Sequence, residues 1–168
     1  MIHLPYRLLA ALGLVASVGS MAFALYLQHG HGLEPCPLCV FQRVAMIVFG
    51  LVCLLALLHG PRAWGRWVYA LLGALSAGAG IAIAGRHVWL QGLPPDQVPA
   101  CGPSLDYLMD VSPFFEVVKT VLRGDGNCTI VDAAFAGLSL PAWTLIAFVI
   151  LGLASLVSPL IAQKDARA

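Results

Sequence analysis

Apolar residues run in four long stretches, at roughly Leu8 to Leu27, Val40 to Leu58, Trp67 to Ala84 and Ala142 to Leu160. Each approaches or reaches the ~20 residues that cross a bilayer as a helix. Hydrocarbon offers the backbone no water, so runs of this length are predicted to be helical. Arg43 is the one charge within them, and it falls within a turn of the second run's start. The pattern predicts an all-α membrane protein, a four-transmembrane-helix bundle forming a single domain over residues 1–168. Its loops on one side cover about residues 28–39 and 85–141.

Charges orient this frame. Arg7, Arg62, Arg66, Lys164 and Arg167 gather on one side, which predicts that side and both termini as cytoplasmic. Glu34, Asp96, Asp106, Asp110, Glu116, Asp125 and Asp132 fall on the other. Trp64, Trp67, Trp89 and Trp143 all sit at span ends, where amphipathic rings favour the headgroup level. Arg7 and Ala22-Phe23-Ala24 also resemble parts of a cleaved signal peptide, although the first run has full spanning length. Either way the loop after it lies outside. In the third run Ala70, Ala74, Gly78 and Ala82, with Gly73 and Ala77 alongside, predict a small-residue face for close helix contact.

The long outer segment has two characters. Pro94, Pro95 and Pro99 predict irregular chain before Cys101. Pro113 to Arg123 has helical period, with Phe114, Val117, Val118 and Val121 on one face, flanked by Phe115 and Leu122. Glu116, Lys119, Thr120 and Arg123 lie opposite, as in a short amphipathic helix on the membrane surface, or one packed on the bundle.

Composition sharpens the class. Of 168 residues 60% are hydrophobic and 10% charged, against about 25% charged in soluble domains. A net charge of +1 provides no broad basic surface for nucleic acid.

The candidate chemistry lies in five cysteines, an odd count that leaves at least one free or paired between chains. Cys36, Cys39, Cys101 and Cys128 fall on the outer side, where disulfides can form, and Cys53 lies inside the second span. Four outer cysteines allow three connectivities. Cys36 and Cys39 can form the short local pair used in thiol-disulfide exchange, which would leave Cys101 with Cys128. Two static structural disulfides is the competing reading. Metal binding by these cysteines with neighbouring histidines is a weaker one, because one Cys-x-x-Cys and two widely spaced cysteines suit zinc poorly.

Cys39 begins a transmembrane helix, where free N–H groups and the helix dipole favour a thiolate. Arg43, four residues on, shares its helical face, though arginine is also a common interfacial anchor. A redox pair at this boundary needs an electron acceptor, and quinone is the lipid-soluble two-electron acceptor. Arg43 could bond a quinone oxygen whose negative charge grows on reduction.

Cys36-Pro37-Leu38-Cys39-Val40-Phe41-Gln42-Arg43, the four spans, and a second cysteine pair in a long outer loop closely resemble the bacterial DsbB family. So does Gly137-Leu138-Ser139-Leu140-Pro141-Ala142-Trp143 leading into the last span, and the likeness covers almost the whole chain. The resemblance implies a quinone-dependent protein-disulfide oxidoreductase of the bacterial inner membrane. A reduced DsbA-like periplasmic oxidase would attack a Cys101–Cys128 disulfide and form a mixed disulfide with Cys101. Released Cys128 would attack Cys36 and free Cys39 as a thiolate against ubiquinone or menaquinone. Gly124-Asp125-Gly126-Asn127 would be the flexible chain that carries Cys128, or simply a surface turn.

The resemblance also implies a quinone site with Cys39, Arg43 and His87, the alternative for His87 being an interfacial histidine without a catalytic role. Vitamin K epoxide reductase relatives carry their Cys-x-x-Cys late in the bundle, whereas here it opens the second span. No chemistry is assigned to Gln28, His29 or His31. Cys53, deep in its span, reads as a small apolar core residue.

Overall fold

The computed structural model describes residues 4–62, 64–129, 131 and 134–165. Asp132 and Arg167, and the side chain of Lys164, which entered the charge pattern above, lie outside what is described. Four of its helices, α1 (Leu4–His31), α2 (Pro37–His59), α3 (Trp64–Gln91) and α6 (Leu140–Asp165), are long and apolar enough to cross a membrane. They form a multi-pass membrane bundle. Between α3 and α6 lie α4 (Leu105–Val111), α5 (Phe114–Arg123) and a two-stranded hairpin, β1 (Ala134–Phe135) and β2 (Leu138–Ser139).

Local chemistry sets the helix ends. Pro37 sits in the first turn of α2, where its missing N–H costs nothing, and Gly60 ends the helix in the left-handed region at φ 57°. The Gly60 N–H donates to the Ala56 carbonyl at 3.0 Å. α1 and α3 run past their apolar stretches through His31 and Gln91, since a helix leaving hydrocarbon can keep satisfying its own backbone. Within α6, Pro159 has no N–H for the Ser155 carbonyl four residues back, and the Ser158 hydroxyl donates to that carbonyl at 2.8 Å instead.

Packing is most extensive between α3 and α6, and α2 lies against both α1 and α3. The small-residue face of α3 differs from the one expected. Ala70, Gly73, Ala77, Gly80 and Ala84 are buried, whereas Gly78 and Ala82 are exposed. A strict four-residue repeat drifts by about 40° per step around a helix of ~3.6 residues per turn, so the true contact stripe alternates steps of three and four. A Cβ on Gly80 would run into the Phe148 ring, and one on Gly73 would stand 2.8 Å from Ser155 Oγ. These glycines are what let α3 and α6 approach.

At the end where α2 begins, Leu38, Leu90, Val117, Val121 and Cys128 form one buried apolar cluster. α5 therefore packs its Val117 and Val121 edge on the bundle and leaves Phe114 and Phe115 exposed. α4 and the hairpin were not anticipated. α4 is a single capped pair of turns, with Ser104 Oγ accepting from the Tyr107 N–H at 3.4 Å. Prolines leave the chain before Cys101 irregular, apart from one 3-10 turn at Pro95–Gln97.

Candidate active site

Cys36 caps α2. Its extended backbone (φ −63°, ψ 162°) lets the sulfur accept the Cys39 N–H at 3.4 Å, so one cysteine fills the capping role usually taken by Ser or Asp. That cap brings the two side chains together, and Cys36 Sγ donates to Cys39 Sγ at 3.1 Å. All five cysteines are unpaired thiols in this structure.

His87, in the last-but-one turn of α3, is buried behind this pair. Its Nε2 lies 3.8 Å from Cys36 Sγ and its Nδ1 lies 3.9 Å from Cys39 Sγ. Gln42, also buried, places its Nε2 3.1 Å from His87 Nδ1. Cys36, Cys39 and His87 offer three donor atoms all within 4.8 Å of one another. Two thiolates on tetrahedral zinc, at Zn–S ~2.3 Å, would hold their sulfurs ~3.8 Å apart. The observed 3.1 Å is closer, and suits a dithiol that closes to a disulfide better than a metal pair.

Cys128 arrives from the long loop between α3 and α6 and is buried beside Leu38 and Leu90, while Cys101 is exposed. The neighbouring Cys36 sulfur, which packs against the same cluster, and then burial push the Cys128 thiol well above the usual cysteine range. Weaker backbone contacts at Asp125 and Leu38 act the other way. Cys36 thus lies between two other cysteines, hydrogen-bonded to Cys39 and packed against the cluster that holds Cys128.

The segment Gly124-Asp125-Gly126-Asn127, read from the sequence as flexible chain or a surface turn, is tied to its neighbours in this structure. Arg86, stacked 4.2 Å over the Trp89 ring, donates from Nη2 to the Arg123 carbonyl at 2.8 Å and from Nε to the Leu122 carbonyl at 3.3 Å. Those carbonyls are orphaned at the α5 C-terminus, where a cation is favoured. Beyond them Gly126 N–H donates to the Ala100 carbonyl at 3.2 Å, and Asp125 Oδ1 accepts the Cys128 N–H at 3.3 Å. A Cβ at Gly126 would stand 2.7 Å from the Pro99 carbonyl, so this glycine is required by close packing.

On the other side of Cys39, a cleft of about 330 Å³ opens between α1, α2 and α6. Cys39, Gln42 and Arg43 line it together with Phe23, Pro141 and Trp143. Arg43 reaches across to α1, where Nη1 donates to Gln28 Oε1 at 2.5 Å and Nη2 to the Ala24 carbonyl at 3.3 Å. The structure therefore joins Cys36, Cys39, Cys128 and His87 directly, places Arg43 with Cys39 on the cleft, and leaves Cys101 at the surface. His87 is not among the cleft's lining residues and contacts the sulfurs instead. Gln28 and Gln42 were assigned no role from sequence. Their signal was polarity beside the Cys-x-x-Cys span, Gln42 lying one turn after Cys39. Cys53 lines a separate apolar cavity of about 290 Å³ toward the other end of the bundle.

Residues 6–158 match the family model described as disulfide bond formation protein DsbB. The chain is similar to disulfide bond formation protein B of Marinobacter nauticus, with 53% identity over 88% of this chain and 89% of that one. It is 51% identical to the protein of that name in Acinetobacter baumannii, over 89% of this chain and 88% of the relative. The Nitrosococcus oceani protein of the same name is 49% identical, over 92% and 91%.

Proposed function

The chain belongs to the DsbB family of disulfide bond formation proteins, and on that premise we propose that it reoxidises a thioredoxin-like dithiol oxidase and reduces a membrane quinone. The observation that carries this reading is the row of neighbouring sulfurs, Cys128, Cys36 and Cys39, with a loop cysteine at one end and a cleft at the other.

The exposed sulfur is Cys101, which a soluble partner's thiolate can reach. Attack there breaks the Cys101–Cys128 disulfide, forms a mixed disulfide and expels Cys128. Cys128 then attacks Cys36, forming Cys36–Cys128 and expelling Cys39. The partner's second thiol resolves its mixed disulfide, leaving as the oxidised partner. Freed Cys101 reclaims Cys128 and releases Cys36. The pair Cys36 and Cys39 now holds two electrons, and its protons leave with them.

Quinone supplies the two-electron sink and departs as quinol. The cleft fits such a group, with apolar walls for a ring and tail, and an arginine that has committed only two of its five donors to α1. Cys39 and Arg43 would hold the headgroup end, with Arg43 stabilising charge on its oxygen. The net reaction turns one partner dithiol and one quinone into one disulfide and one quinol.

This reading sets the Cys36 end of the bundle in the periplasm and both termini in the cytoplasm of a bacterial inner membrane, supported by the arginines at the opposite end. A subunit with static disulfides would leave the contact between Cys128 and Cys36 without purpose. The test adds a reduced DsbA-like protein to the purified chain with ubiquinone or menaquinone and follows quinone absorbance. Quinol formed in proportion to partner oxidised is expected. No quinol with either quinone overturns the proposal.

A further inference from the structure

Among the described residues, Cys39 and Gln42 meet both the cleft and His87, and of the two Gln42 stands nearer to the ring, at 3.1 Å against 3.9 Å for the Cys39 sulfur. Gln42 is 5% exposed and His87 is 2% exposed, so neither group exchanges its hydrogen bonds freely with water. Each has to be satisfied by a fixed partner. A neutral imidazole carries one proton, and the nitrogen that bears it is decided by what the other nitrogen meets.

Here Gln42 Nε2 stands 3.1 Å from His87 Nδ1. With the amide nitrogen on this side, Gln42 donates and Nδ1 accepts, which leaves the proton of a neutral ring on Nε2. Nε2 is the nitrogen that faces Cys36 Sγ, at 3.8 Å. We propose that Gln42 is a positioning residue, selecting the His87 tautomer that presents an N–H, and not a lone pair, to the Cys36 sulfur.

The consequence rests on the exchange reading above. Cys36 belongs to two of the three disulfides within the chain in that sequence, Cys36–Cys39 and Cys36–Cys128, and it has to bear charge each time Cys128 leaves it. An N–H directed at that sulfur shortens to a charge-assisted hydrogen bond when the charge appears. A lone pair there would oppose it. No atom changes hands in this role, because the His87 proton stays on Nε2 and Gln42 acts only through the ring.

The tautomer can be read without any turnover. The full-length reduced chain, labelled with 15N-histidine, is compared by NMR with H87Q to identify the His87 resonances. The wild type should show Nε2 protonated and Nδ1 bare. In Q42E the introduced carboxylate offers only acceptors when ionised, so the proton should appear on Nδ1. Q42M, of similar shape with no donor, should give a mixture. In parallel, alkylation of Cys36 at fixed pH in a C39S/C101S/C128S background should slow about tenfold in Q42E, the effect of losing one hydrogen bond to a charged group.

Nδ1 protonated in the wild type overturns the proposal, and that result needs no variant to fold. An unchanged tautomer in both Q42E and Q42M overturns it as well. Because neither measurement uses quinone or a partner protein, their outcome is separate from that of the quinol assay. A chain that makes no quinol can still show the expected tautomer, and a chain that makes quinol can still lack it.

Discussion

Arg43 Nη1 donates to Gln28 Oε1 at 2.5 Å, tying the cation beside Cys39 to the neighbouring helix α1. The Ala24 carbonyl takes a second donor, so the guanidinium is fixed in place by two acceptors one turn apart.

Q28L removes the side-chain half of this anchor while keeping the apolar surface of α1. Arg43 should then sample more orientations, and positioning lost at an otherwise intact cation is expected to raise the apparent KM for quinone by about three- to tenfold, with a smaller loss in kcat. R43A should lose more, because it removes the cation itself. Quinone titrations at saturating partner protein measure both. Equal parameters for Q28L and wild type would mean that the anchor does not matter to the quinone step.

The contact between Cys128 and Cys36 leads to a trapping experiment. In C39S the sulfur that can re-form the pair with Cys36 and so expel Cys128 is gone, and only Cys101 still competes for Cys128. A Cys36–Cys128 disulfide should therefore accumulate under mild oxidation, and quinone reduction should fall to background. Peptide mapping without reductant detects the link. Recovery of Cys101–Cys128 alone, with Cys36 free, would remove the exchange between the pairs from the scheme.

Much of the bundle is legible along the chain because hydrocarbon demands long apolar helices, and the Cys-x-x-Cys at a helix start is a local feature. The buried face of α3 was not, since a helix apolar on all sides shows little contrast between lipid and protein faces. Ala70, Gly73, Ala77 and Gly80 are distinguished from Gly78 only by what α2 and α6 place opposite them. The pairings Arg43 with Gln28 and Gln42 with His87 join residues 15 and 45 positions apart, across helices whose relative rotation no local pattern records. The glycines before Cys128 leave flexible chain and a surface turn both open in the sequence, and what decides the packing of Gly126 is a distant loop segment that leaves no room for a Cβ.

Cys128 also carries a pH signature. Its thiol is raised by the neighbouring Cys36 sulfur and by burial, so in the reduced protein it stays protonated well above the ordinary cysteine value of about 8.5. Alkylation should be slow at pH 8.5 and rise only at higher pH. The same shift stabilises the folded loop below about pH 8.5 and is lost as pH rises toward the folded-state value, because the unfolded chain releases its proton first. C36A removes the largest cause, and should speed Cys128 alkylation at pH 8.5 by at least about tenfold. Rates measured in a C39S/C101S background isolate the effect. An identical rate with and without Cys36 would show that burial alone protects the thiol.

Gly124 tests whether the docked loop matters to exchange. It ends α5 at φ 76° and ψ 162°, a region that side chains rarely enter, and a Cβ there would run into Leu90 of the apolar cluster. G124A should cost about 1–3 kcal/mol in backbone strain alone, with the clash added to it. The least costly relief is for the α5 end to lift from α3, which draws Cys128 away from Cys36. Faster Cys128 alkylation is then expected, together with a lower yield of the Cys36–Cys128 link in the C39S background, while exposed Cys101 keeps its reactivity. L90A combined with G124A opens space for the methyl group but leaves the strain, so it should restore the link only in part. A G124A protein that forms the link as fast as its parent would mean that Cys128 finds Cys36 without the docked loop.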